Sequence, residues 1–136
     1  MCAYVDPDDG DGRDSAVDFD PPFMENPNEP LGVIELGSGT GVVAASVASA
    51  IERGASTGIR LGGFVIATDL PDVCPLLQRN LGMNTSRPTF ADAVSVRPLA
   101  WGNLDHTVSI VREFASRQLT HVLCSDLAST LVHSHG

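Results

Sequence analysis

No lysine occurs anywhere in this chain, and all eight cationic side chains are arginines. That absence removes the residue a Walker phosphate-binding loop needs. Cysteine is scarce, with three residues (Cys2, Cys74 and Cys124) far apart in sequence. None forms a C-x-x-C pair, so neither a disulfide framework nor a zinc site is suggested. Cys124 falls in a strand pattern and reads as a small buried hydrophobe. No apolar run approaches the ~18 residues of a membrane span. The first thirty residues are too acidic for a signal peptide. A soluble chain is expected, cytoplasmic with the nucleus also open, and in contact with neither membrane nor nucleic acid.

The charge that is present is unevenly placed. Of the formal −9, residues 1–30 hold nine carboxylates against Arg13, a net −8. The remainder carries eight acids and seven arginines and is nearly neutral, with no basic footprint for nucleic acid. Residues 1–30 combine Asp, Gly and Pro with few large apolar groups, so a disordered acidic tail is expected there. With 136 residues in all and 43% hydrophobic content, the chain has room for one domain, expected over 31–127, and a second short tail is expected over 128–136.

Within that domain strands and helices alternate. Strands are expected at 32–36, 64–68, 93–99 and 121–125, and helices at 41–53, about 71–81 and 105–118. The stretch 54–63 reads as a loop. Asp72 is expected near the start of the second helix, with Gly82 ending it. Val108, Ile110, Val111 and Phe114 are the apolar positions of the third helix. The alternation implies parallel βαβ units, an α/β Rossmann-like sheet flanked by helices. In such sheets ligands sit beyond the carboxyl ends of the strands.

The residues at those ends carry the chemistry. Val33-Ile34-Glu35-Leu36-Gly37-Ser38-Gly39-Thr40-Gly41 reads as strand, tight turn and helix start, with glycine allowing close approach of backbone to ligand. A dinucleotide fingerprint places its last glycine five residues after the first. That position is Val42, which disfavours a nicotinamide-dependent oxidoreductase. Asp69, ending the second strand, suits a ribose diol, or else caps the next helix. Trp101, just past the third strand, offers a face to adenine, or else packs in the core. Ser125 and Asp126 follow the fourth strand, where Asp126 sits near a reacting group or is a solvated strand-end residue. His106 reads as a helix-surface residue, His121 as a strand start. His133 and His135 form an H-x-H tail without further ligands, so no metal site is expected.

Together, Val33–Gly41, Val65–Asp69, Leu76–Asn80, Pro98–Gly102 and Leu123–Leu127 resemble the seven-β-strand S-adenosylmethionine-dependent methyltransferases of the protein-lysine branch. The resemblance covers about residues 31–127. It implies a sheet with order 3-2-1-4 over these strands, S-adenosylmethionine as cofactor and a protein lysine as methyl acceptor. By the resemblance, Gly37, Ser38 and Gly39 would approach the methionine part of the cofactor. Glu35 would support the turn or reach the methionine amino group. Asp69 would hold the ribose, Trp101 would contact adenine, and Ser125 would line the pocket beside the sulfonium. Asp126 is the candidate catalytic carboxylate. Two departures stand out: Asp126-Leu127-Ala128-Ser129 lacks the tyrosine of the family's D-x-x-Y, and three further strands of that fold have no counterpart. The expectation is therefore an incomplete methyltransferase fold, truncated after strand 4, whose exposed edge invites low stability or dimerisation. The alternative reading is a catalytically inactive binding or interaction module on the same half-fold.

Overall fold

The computed structural model describes residues 28–58, 62–83, 90 and 93–124. Most of the expected tail at 1–30, all of that at 128–136, and the residues Ser125 and Asp126 lie outside the described residues. The described elements run β1 (Leu31–Leu36), α1 (Val42–Ser56), β2 (Gly63–Asp69), α2 (Cys74–Asn80), β3 (Val94–Pro98), α3 (Leu104–Glu113) and β4 (His121–Cys124). All strand pairings are parallel and the sheet order is β3-β2-β1-β4. The expected α/β class, order and direction are thus all present.

The chain first steps outward, β1 to β2 to β3, and then returns to place β4 on the other side of β1. Right-handed crossovers in opposite directions put their helices on opposite faces. Accordingly α1 and α2 bury Ala44, Val47, Ala48, Ile51, Cys74 and Leu77 against Val33, Val65, Ala67, Val94 and Val96. On the other face, Ile110 of α3 and the following Phe114 cover Ile34, Phe64 and Ile66. The central strands are buried on both faces, which is why β1 and β2 read as continuous apolar runs. The reversal of direction makes a topological switch point at the carboxyl end of β1, where the glycine turn begins.

Several boundaries differ from the sequence reading, each for a local reason. Helix α1 continues through Gly54 to Ser56, because its left-handed terminator is Gly58 (φ 69°), whose N–H donates to the Ala55 carbonyl. Helix α2 starts only at Cys74, after a turn over Pro71–Val73, and carries Pro75 in its first turn, where a missing N–H costs nothing. Its end is as expected: Gly82 is left-handed, its N–H donates to Arg79 and that of Met83 to Gln78, a Schellman closure.

Helix α3 stops at Glu113 rather than near 118. Over residues 115–118 (Ala-Ser-Arg-Gln) the sequence offers no large apolar side chain to bury. The chain instead turns so that Arg117 lies over the Phe64 ring at 5.1 Å and Thr120 N–H reaches the Gly32 carbonyl at 2.7 Å. Val111, expected on the apolar face, is exposed. Cys124 is exposed as well, contrary to the buried role expected of it. It lies on edge strand β4, whose Val122 is also 62% exposed, because α3 does not extend over that strand.

Candidate functional site

The carboxyl ends of the strands are level. Cys124, Leu36, Thr68 and Arg97 form one row across the sheet, and Asp69 is paired with Pro98 in the next. The turns after β1, β2 and β3 therefore emerge side by side, and hydrogen bonds tie them together. Ser38 N–H donates to the Thr68 carbonyl at 2.8 Å, and Thr68 Oγ1 donates to the Glu35 carbonyl at 2.6 Å. Leu99 N–H donates to the Asp69 carbonyl at 2.8 Å.

The glycine turn is built from three left-handed residues, Gly37 (φ 69°), Gly39 (φ 54°) and Gly41 (φ 86°). Their surroundings separate two roles. A Cβ on Gly41 would stand 2.7 Å from Leu77 Cδ1 and 3.3 Å from Leu81, so Gly41 lets α1 pack on α2. A Cβ on Gly39 would meet nothing within 4 Å, so the space above that backbone is open. Asn80 at the end of α2 braces the turn through Nδ2, which donates to the Thr40 carbonyl at 3.1 Å.

Asp69 does not cap the following helix. Its Oδ2 accepts from Gly39 N–H and its Oδ1 from Leu70 N–H, both at 2.7 Å. The N-cap position of α2 is Val73, which has no side-chain hydrogen bond. Sequence reasoning misses the Asp69–Gly39 contact, because nothing in spacing says that a strand-end carboxylate 30 residues away reaches that particular amide.

Glu35 is wholly buried, on the face of β1 that α1 covers, and so lies beneath the turn rather than at its surface. Ser38 is 7% exposed, and its Oγ has no hydrogen-bond partner among the described residues. Trp101 is 72% exposed, which overturns the core-packing alternative. It sits on a turn three residues past Pro98, at the same end of the sheet as Gly39 and Asp69. His106, read from sequence as a surface residue, is half-buried, and its Nδ1 accepts from Ala100 N–H at 3.1 Å. The Asn103 cap that starts α3 accepts from His106 N–H through Oδ1, also at 3.1 Å. An Asn preceding a helical pattern was the available signal for that cap.

Among the described residues no group of three His, Cys, Asp or Glu side chains could hold a metal ion. Two open hollows, of about 440 and 330 Å³, lie at the opposite end of the sheet, around Gly63. Phe64, Arg117 and Thr120 line the first, and Ile51 and Ala93 the second. Neither touches the glycine turn or Asp69, and neither brings together groups suited to catalysis.

The chain is similar to known protein-lysine methyltransferases. Protein-lysine N-methyltransferase rrg1 of Schizosaccharomyces pombe is 35% identical over 83 residues, which is 60% of this chain and 24% of that protein. Protein-lysine methyltransferase METTL21E of Mus musculus is 34% identical over 97 residues, 70% of this chain and 33% of that protein. The matched segments thus span about a quarter to a third of the length of these relatives. Residues 10–130 match the profile of a family described as lysine methyltransferase, and with that match over most of its length the chain belongs to the lysine methyltransferase family.

Proposed function

We propose that this chain carries the cofactor-binding part of a protein-lysine N-methyltransferase, with S-adenosylmethionine seated over the glycine turn. The observation that carries the reading is the Gly39–Asp69 bond beside open space. An ionised carboxylate has about four acceptor positions. Gly39 and Leu70 take two at Asp69, leaving two for the vicinal hydroxyls of a ribose. Gly39 leaves its backbone accessible for close approach. Ser38 Oγ, buried without a partner among the described residues, can donate to the carboxylate or accept from the ammonium of the methionine moiety. Gly37 shapes the same turn, and Glu35 supports it from below. Trp101 presents a π-face suited to a purine. The residues present therefore fit the cofactor.

When bound, the cofactor supplies an electrophilic methyl group on a sulfonium. The contribution assigned to this chain is to position the reactants in line and to shed water. A protonated lysine amine, with an ordinary pKa of ~10.4, has no lone pair to offer. Asp126 is proposed to orient the amine and ease its loss of a proton, with Ser125 lining the same channel. The proposed partner is a protein presenting a lysine. A cytoplasmic setting is proposed as well, where free thiols such as Cys74 and Cys124 stay reduced. The open β4 edge, with Val122 exposed, is the proposed surface for self-association, which sedimentation of the chain at increasing concentration tests.

Activity is tested by incubating the chain with S-adenosylmethionine labelled in its methyl group and a cell extract. Because the chain has no lysine, label on a lysine side chain cannot be its own. Labelled protein lysine that disappears with Asp69→Ala supports the reading. Cofactor binding with no transfer to any lysine would contradict the enzymatic part of it.

A further inference from the structure

We propose that His106 is a positioning residue for Trp101, a neutral imidazole that locks the turn on which the indole is presented. Trp101 is the second residue of a four-residue turn, Ala100 to Asn103, closed by Asn103 N–H donating to the Ala100 carbonyl at 3.0 Å. The third residue, Gly102, has φ 74°, the left-handed conformation a type II turn requires. With 72% of the residue exposed, packing does little to hold the indole, and its direction is inherited from the turn.

The turn is anchored from behind by α3. Asn103 caps that helix by accepting His106 N–H, and the His106 side chain returns to accept Ala100 N–H. This is a capping box with an altered return, in which the third helical residue bonds the start of the preceding turn instead of the cap residue. A backbone N–H can only donate, so Nδ1 must be bare and the ring hydrogen must sit on Nε2. The amide it satisfies adjoins Trp101 directly, and Leu99 N–H beside it is bonded to the Asp69 carbonyl. The lock therefore fixes the indole relative to the carboxylate proposed to hold ribose. Its value for binding rests on the adenine role proposed for Trp101, whereas the lock itself does not.

Trp101 is the single tryptophan of the chain, so its emission reports this turn alone. The test compares the full chain with His106→Ala, which removes the acceptor, and His106→Asn, whose Oδ1 can stand near the place of Nδ1. Indole fluorescence anisotropy and calorimetric titration with S-adenosylhomocysteine are measured on each. His106→Ala is expected to lower the anisotropy and weaken binding about tenfold, the scale of one unsatisfied amide. His106→Asn is expected to restore most of both. Unchanged anisotropy in His106→Ala, or no recovery in His106→Asn, would overturn the lock. Lowered anisotropy with unchanged affinity would keep the lock and overturn the adenine role instead. Nitrogen-15 spectra of the unsubstituted chain give an independent reading: a hydrogen on His106 Nδ1 at neutral pH contradicts the proposal however the variants fold.

Discussion

Gly39 N–H and Asp69 Oδ2 are joined by a 2.7 Å hydrogen bond that closes the turn after β1 onto the end of β2. One bond thereby sets both the height of the glycine backbone and the direction of the carboxylate. Hydrogen bonds to an ionised group contribute about 1.5–3 kcal/mol, and the same carboxylate is proposed to hold the ribose. Asp69→Ala is therefore expected to weaken S-adenosylhomocysteine binding by about tenfold to a hundredfold while the chain stays folded, since Asp69 sits at the rim of the core. Calorimetric titration beside a circular dichroism melt checks this, and undiminished affinity would remove Asp69 from the site.

The glycines at 39 and 41 should respond differently to alanine. Both are left-handed, which costs an L-residue about 1–2 kcal/mol. At Gly41 the new methyl group would also meet Leu77 at 2.7 Å, adding about 1–3 kcal/mol of overpacking. Gly41→Ala should thus lower the melting temperature clearly more than Gly39→Ala. Conversely, Gly39→Ala should lose most of its cofactor affinity while remaining largely folded at 25 °C. Equal melting temperatures for the two variants would contradict the division of roles.

The strands were legible because β1 and β2 are buried on both faces and so appear as unbroken apolar runs ending at Gly37 and Asp69, whereas their order followed only from the family resemblance. The helix ends were less so. Gly54 and Gly58 look alike in sequence, and only the second takes the left-handed conformation that ends α1. Trp101 was ambiguous for a similar reason, since an isolated indole is apolar enough for a core and polar enough for a rim. The candidate site residues follow from their place at strand ends, but the bonds among them do not. Asp69 to Gly39 is set by how the sheet aligns its turns, and His106 to Ala100 by the turn and cap that start α3. Cys124 misled because strand residues are usually covered, and β4 is an edge.

Arg97 Nε donates to Glu113 Oε2 at 2.6 Å, and its second nitrogen pairs with Oε1. This side-chain hydrogen bonding holds the Glu113 carboxyl below its ordinary 4.5 and raises the already basic Arg97. A carboxyl lowered on folding contributes stability that is present above the ordinary value and lost as pH falls through the lowered one. Both side chains are a third or more exposed, so the pair contributes at most about 1 kcal/mol. Glu113→Gln should lower the melting temperature by no more than about 4 °C at pH 7, and by less at an acid pH well below 4.5. An equal loss at both pH values would show that the pair acts through packing.

Burial, and secondarily the charge of Asp69, push the Cys74 thiol above its ordinary 9.0, partly offset by its hydrogen bond to the Asp69 carbonyl. A thiol raised on folding favours its neutral form. The stability it contributes is present below the ordinary value and lost as pH rises through the raised one. Cys124, by contrast, is exposed. Alkylation by iodoacetamide at pH 8, followed by peptide mapping, should modify Cys124 at least about tenfold faster than Cys74. Equal rates would contradict the burial of Cys74 beneath Asp69.

Titration of the full chain with ligand while following Trp101 emission tests most directly whether the ends of β1, β2 and β3 form an S-adenosylmethionine site. The expected result is saturable binding of S-adenosylhomocysteine with a change in indole emission, weakened about tenfold to a hundredfold by Asp69→Ala, and no response to NAD. A saturable response to NAD with none to S-adenosylhomocysteine would contradict it.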